Sequence, residues 1–114
     1  MHSGSQDDIL EAIYQIILDR KNHPTEHSYV AALYAKGLDK ILGKIGEEAT
    51  EVAVAGKGGD PGQVVYEAAD LIFHLLVLLG HYELPPERVY AELRRRFGVS
   101  GLAAKAARSK ICEE

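Results

Sequence analysis

One cysteine, Cys112, stands near the C-terminal end, so no disulfide can close within this chain. That fits a reducing compartment, and a cytoplasmic location is the expectation. Long apolar runs are also missing. None reaches the roughly 18 residues that a membrane-spanning helix needs, so no membrane association is expected. Positive charge is not in excess either. A net charge of −4 disfavours a nucleic-acid binder, because phosphate backbones select basic faces. The basic residues gather late, as Arg94-Arg95-Arg96 and as Lys105, Arg108 and Lys110. There is no strand-like alternation, repeat or low-complexity tract. A Gly-x-x-x-x-Gly-Lys-Ser/Thr loop is absent, which excludes a P-loop motif. A Glu-x-x-His pattern is absent, which counts against a di-iron bundle. No serine or cysteine sits in a recognisable nucleophile setting, which leaves water as the attacking group. The opening residues, Met1-His2-Ser3-Gly4-Ser5, lack the regions of a signal peptide. Residues 1–7 and 111–114 are expected to be flexible ends around a single domain spanning 8–110.

What is present is helical period. Ser5 and Asp8 resemble a capping pattern, and Ile9, Ile13, Ile16 and Ile17 follow as one stripe that should end before Pro24. Ser28 can cap the next helix, with Tyr29, Leu33 and Leu38 as buried candidates and Gly37 as a bend or break. Leu38, Ile41, Leu42, Ile45, Val52 and Ala53 extend an apolar arc to about Ala55. Asp60 caps a helix with Pro61 in its first turn, where proline costs least. That helix should run to about Glu83. Pro85 and Pro86 start another, to about Phe97, which Gly98 ends. A short last helix is expected over about Leu102 to Lys110. The fold class is all-α, a bundle of four to five helices. At 114 residues the core is adequate but not generous, which favours completion by dimerisation.

The most informative feature is a pair of acidic patterns around a glycine break. Glu47-Glu48-Ala-Thr-Glu51 precedes Gly56-Lys57-Gly58-Gly59-Asp60-Pro61, and Glu67-Ala-Ala-Asp70 follows it. In an antiparallel hairpin centred near Gly58, Glu48 and Glu51 lie ten and seven residues before the turn, and Glu67 and Asp70 nine and twelve after it. At about 1.5 Å rise per residue the two pairs reach nearly the same height. Carboxylates that converge this way repel unless a cation sits between them. An oxygen-only donor set suits Mg²⁺, with Mn²⁺ as the alternative, rather than zinc.

On the second of these helices Val64, Ala68, Leu71, Ile72, Leu75 and Leu79 form one apolar face. Tyr66, Phe73 and Val77 make the opposite side apolar too, so the helix should be buried. Gln63, Glu67, Asp70, His74 and His81 line up in a narrow polar seam. The plainer reading of that seam is a solvent stripe. Set against Glu48 and Glu51 across the hairpin, a shared cation site for Glu48, Glu51, Glu67 and Asp70 is the stronger reading. Lys36, Lys40 and Lys44 recur every four residues on a face leading to the acids. They read either as helix-stabilising pairs or as a strip that attracts phosphates. Three roles are open to His74: metal ligand, partner of a substrate phosphate, or partner of a carboxylate.

The residues resemble a known family. Glu-Glu-x-x-Glu followed by Glu-x-x-Asp is similar to the signature of the all-α, MazG-like nucleoside triphosphate pyrophosphohydrolases. Three stretches, Ser28 to Glu51, Tyr66 to Leu79 and Arg95 to Arg108, resemble phosphoribosyl-ATP pyrophosphohydrolase in particular. The resemblance implies a small-molecule nucleotide substrate. It implies hydrolysis of phosphoribosyl-ATP to phosphoribosyl-AMP and pyrophosphate, the second step of histidine biosynthesis. A homodimer, or a higher oligomer, is the expected assembly of so small a bundle. On the basis of the resemblance, Glu47, Glu48 and Glu51 are expected to be catalytic, and Glu48, Glu51, Glu67 and Asp70 to hold Mg²⁺. Lys36, Lys40, Lys44, His74 and Arg96 are expected to contact the substrate. A housecleaning hydrolase of ordinary nucleoside triphosphates and a non-catalytic helical interaction module are the rival readings.

Overall fold

The computed structural model describes residues 8–98. It contains five helices: α1 (Ile9–Asn22), α2 (Tyr29–Lys36), α3 (Leu38–Gly58), α4 (Pro61–His81) and α5 (Pro86–Phe97). No strand occurs among the described residues. The all-helical architecture expected from the sequence is therefore the one observed. The expected last helix, Leu102 to Lys110, lies outside the described residues, as does Ser5.

The helix ends follow local chemistry. The Ser28 hydroxyl accepts the Ala31 N–H at 3.0 Å, capping α2. Gly37 has φ of +101°, so the chain breaks between α2 and α3 instead of running through. At the hairpin, α3 extends to Gly58, and Gly59 closes it at φ +82° with its N–H on the Ala55 carbonyl. Asp60 then caps α4 by accepting from the Gly62 N–H at 3.0 Å and the Gln63 N–H at 3.4 Å. α4 stops at His81, two residues earlier than expected, and Pro86 opens α5.

The core lies where α1, α2, α3 and α4 meet. Ile17, Val30, Leu33, Ile41, Leu76 and Val77 form its buried centre, with Ile13, Tyr34, Ile45 and Phe73 around it. α1 crosses α4 at Gly80. There the Tyr34 hydroxyl donates to the Val77 carbonyl at 2.6 Å and Lys21 Nζ donates to the Gly80 carbonyl at 2.8 Å. Burial pushes the Tyr34 hydroxyl up to about 12, so it stays a donor at any ordinary pH.

One expectation is reversed. α4 is apolar on most of its surface, yet the single chain does not bury it all round. Val65, Tyr66, Ile72 and Leu75 are exposed, while the residues it buries include Glu67 and His74. The polar seam faces inward against α3, and much of the apolar surface faces out. Tyr29, a core candidate, is half exposed at 49 %. α4 is also long and apolar enough on average to meet a membrane-span criterion. Glu67 and Asp70 are its acidic residues.

Candidate metal centre

The α3–α4 hairpin brings the two acidic patterns together at the height that the helical rise requires. Glu48, Glu51 and Glu67 each offer a carboxylate oxygen within 4.8 Å of the others. Glu48, Asp70 and His74 form a second such group, and Glu48 belongs to both. Glu48 and Glu67 are buried, at 5 % and 9 % exposure. One oxygen of each, Glu48 Oε1 and Glu67 Oε1, is buried with no hydrogen-bond partner. A buried carboxylate oxygen without a partner is costly, and a bound cation is the usual way to satisfy it. The residues therefore fit a divalent cation held through oxygen.

The surrounding side chains hold these acids in place. Gln63 Nε2 donates to Glu67 Oε2 at 2.7 Å from one turn earlier on α4. Lys44 Nζ lies 3.4 Å from Glu47 and 3.8 Å from Glu48. The Tyr29 oxygen chiefly, and then Glu47 and Glu48, keep the Lys44 ammonium above its usual range. Tyr29 Oη and His74 Nε2 are 2.8 Å apart, and His74 Nδ1 donates to the Asp70 carbonyl at 2.8 Å. His74 is buried, at 2 % exposure, with its ring edge-on to both Tyr29 and Phe73.

Not every expected residue joins the cluster. Glu47 is exposed, and its one ion pair among the described residues is with Lys44. The break at Gly37 puts Lys36 on a different helix from Lys40 and Lys44, so the three do not form one continuous helical face. Of the three, only Lys44 pairs with an acid among the described residues. Arg96 pairs with Glu92 on its own helix at 2.9 Å. His81 leaves the seam and meets the Tyr82 ring edge-on. Gln63 was visible in the seam from its spacing. Tyr29 was not visible as a site residue, because its contact with His74 joins residues 45 positions apart.

The crowding leaves an electrostatic signature. Desolvation first, and then the neighbouring Asp70 and Glu51, push the Glu48 carboxyl above the usual 4.5. The Glu51 carboxyl is also raised, first by the close approach of Glu67. The folded chain thus binds more protons here than the unfolded chain, and metal-free stability falls as pH rises above 4.5 through the raised values. Glu92 runs the other way. Its bonds to Arg95 and Arg96 hold it down to about 2, so its contribution is lost as pH falls from 4.5 towards that value. The metal-free protein should melt higher at pH 5 than at pH 7.5, and lower again below pH 4. Saturating Mg²⁺ at pH 7.5 should remove the deficit, since a ligand bound only by the folded state adds stability. A thermal melt that is flat between pH 5 and 7.5 and insensitive to Mg²⁺ would contradict this reading.

Fold and site together define a class: an all-α protein with a cluster of acidic oxygen donors across a helical hairpin that could hold a cation. Residues 10–97 match the family described as phosphoribosyl-ATP pyrophosphohydrolase, and the chain belongs to that family. It is 63 % identical over 107 residues to a phosphoribosyl-ATP pyrophosphatase of Geobacter sulfurreducens, covering 94 % of this chain and 99 % of that one. A protein of the same name from Geobacter metallireducens is 61 % identical over 107 residues, covering 94 % and 98 %. One from Methylococcus capsulatus is 55 % identical over 101 residues, covering 89 % and 96 %.

Proposed function

We propose that this chain hydrolyses phosphoribosyl-ATP to phosphoribosyl-AMP and pyrophosphate, the second step of L-histidine biosynthesis, in the cytoplasm. The observation that carries the reading is the convergence of Glu48, Glu51 and Glu67, with two buried oxygens lacking partners, in a member of this family. Glu48, Glu51, Glu67 and Asp70 hold Mg²⁺, with Mn²⁺ as the alternative. Glu48 belongs to both groups, so a second ion bound with substrate would share it. Held by these residues, a divalent cation would supply charge neutralisation of the triphosphate.

The remaining roles fall to side chains. A carboxylate of the Glu47, Glu48 and Glu51 set orients the attacking water and accepts its proton, and pyrophosphate departs as the leaving group. Lys44, beside the acids, binds a substrate phosphate, and Lys36 and Lys40 extend that positive charge. Arg96 completes the expected substrate-facing set, and His74, buried, shapes the site from behind Asp70.

The outward apolar surface supports a homodimer. Ile72, Leu75, Val89 and Leu93 are exposed large apolar residues, and an apolar groove of about 300 Å³ runs between α4 and α5 beside Leu10. A second copy closing this surface would complete the core, and sedimentation equilibrium should return a dimer or a higher multiple of it.

Substrate choice is tested by measuring pyrophosphate release from phosphoribosyl-ATP, ATP and dUTP side by side. Phosphoribosyl-ATP should be preferred in kcat/KM by at least about a hundredfold, or roughly 2.7 kcal/mol of transition-state discrimination. Equal or faster release from the simple triphosphates would move the protein to a housecleaning role, and no release from any would point to an interaction module.

A further inference from the structure

An open depression of about 350 Å³ lies on the flank of α4, lined by Val65, Tyr66, Ala69, Asp70 and Phe73. That is within the roughly 300–1,000 Å³ of small-molecule sites. At about 100° per residue, Tyr66 and Phe73 lie about 40° and 60° from Asp70 around the helix. Tyr66 stands about 180° from Leu75 on the same scale, opposite a residue of the surface assigned to a second copy. Tyr66 is 66 % exposed, so a large aromatic ring is held out in water. Ala69 lies three residues after Tyr66 and four before Phe73, a neighbour of both on the helix surface. Its small side chain leaves the space between the two rings free. From α2, the Tyr29 ring extends the aromatic surface, with its centroid 6.4 Å from that of Phe73 and the planes inclined by 29°. Asp70 belongs both to this depression and to the acidic cluster. A nucleotide with its phosphates at the cluster therefore meets an aromatic surface directly beside them.

We propose that this flank of α4 is the nucleobase subsite: the purine of the substrate enters above Ala69 and stacks against Tyr66 and Phe73, while the triphosphate is held at the acidic centre. The inference rests on the reading that this chain hydrolyses phosphoribosyl-ATP. A purine is flat and apolar on its faces, and aromatic side chains bind it by stacking. The depression is open, so the polar edges of the base stay in water while one face is covered. Stacking of this kind holds substrate and transition state alike. Its loss therefore raises KM and leaves the chemical step in place. Tyr66 and Phe73 bind the base, and Ala69 is the small residue that admits it.

Tyr66 and Ala69 are both exposed, so substitutions there leave the core intact. Kinetics of the full chain with Mg²⁺, followed by phosphoribosyl-AMP formation, give KM for phosphoribosyl-ATP. Inorganic tripolyphosphate, as a competitive inhibitor, is the probe that has the phosphates and no base. Tyr66→Ala should raise KM roughly 5- to 150-fold, the span of base–aromatic stacking. Ala69→Leu fills the space between the rings and should raise KM over a similar range. Tyr66→Phe keeps the ring and should return KM to within about twofold of wild type. The Ki of tripolyphosphate should stay within about twofold in all three variants, because the acids and Lys44 are untouched. A KM that is unchanged in both Tyr66→Ala and Ala69→Leu would overturn the proposal. So would a rise of KM and tripolyphosphate Ki together, which would put the damage at the phosphates. Sedimentation equilibrium of Tyr66→Ala should match wild type, and a change of oligomeric state would make Tyr66 a subunit contact and overturn the subsite. Absence of phosphoribosyl-ATP turnover in wild type would instead remove the proposed activity, and the inference with it.

Discussion

Glu48→Gln is expected to lower kcat for pyrophosphate release by about a thousandfold or more, equivalent to roughly 4 kcal/mol of transition-state stabilisation. Helical content should not change. Glutamine has the same shape, so the packing of a side chain only 5 % exposed is kept. What is lost is the charge shared by both carboxylate groups. Glu48 is the residue common to the Glu51–Glu67 group and the Asp70–His74 group, so neutralising it weakens both at once. The same change removes repulsion with Asp70 and Glu51, the neighbours that help to raise the Glu48 carboxyl. The metal-free variant should therefore melt at or above the wild-type temperature at pH 7.5, while losing the Mg²⁺-dependent increase. Asp70→Asn should behave alike, because Asp70 presses on Glu48 from α4. Glu47→Gln should lose far less, since Glu47 is exposed and pairs with Lys44 alone among the described residues. Steady-state kinetics beside a thermal melt separate these outcomes. Near-wild-type kcat in Glu48→Gln would mean that the centre is misassigned.

Gly80→Ala is expected to destabilise the fold by about 2–4 kcal/mol, combining overpacking with loss of a buried hydrogen bond. A Cβ at this position would sit 2.4 Å from Tyr34 Oη and 3.3 Å from Ile17 Cγ2. Tyr34 cannot move aside freely, because its hydroxyl is tied to the Val77 carbonyl and Lys21 Nζ lies over its ring. Gly80 is helical, so the penalty comes from close approach and not from backbone conformation. At roughly 4–8 °C per kcal/mol for a domain near this size, the melting temperature should fall by about 10 °C or more. Tyr34→Phe removes the clashing oxygen at a cost of about 1 kcal/mol. The double variant should then be more stable than the sum of the singles, a coupling expected only of residues in contact. Strict additivity would show that the packing of α2 on α4 does not depend on this contact.

How much of this was legible beforehand varies from element to element. The α3–α4 hairpin was readable because Gly59, Asp60 and Pro61 each do one local job: closing a helix, capping the next and filling its first turn. Once the turn is placed, helical rise alone puts Glu48 and Glu51 level with Glu67. The direction of the α4 seam was harder. Its hydrophobic pattern is nearly uniform, so period could not say which side meets α3. The acids resolve it, since two of the side chains that α4 buries, Glu67 and His74, are polar. Gly37 read as either a bend or a break, and only its positive φ separates Lys36 from the face of Lys40 and Lys44. The Tyr29–His74 bond left no trace in the spacing, because it depends on how α2 packs against α4.

The central claim is that the acidic hairpin is a cation-dependent catalytic centre for phosphoribosyl-ATP. It is tested most directly by the single-turnover rate of pyrophosphate release from that substrate, measured across Mg²⁺ concentrations for wild type and Glu48→Gln. The account predicts no release from chelator-treated wild type, a rate that rises to saturation with Mg²⁺, and almost none from Glu48→Gln at any concentration. Release that proceeds without a divalent cation, or that saturates at the same rate in both proteins, would contradict it.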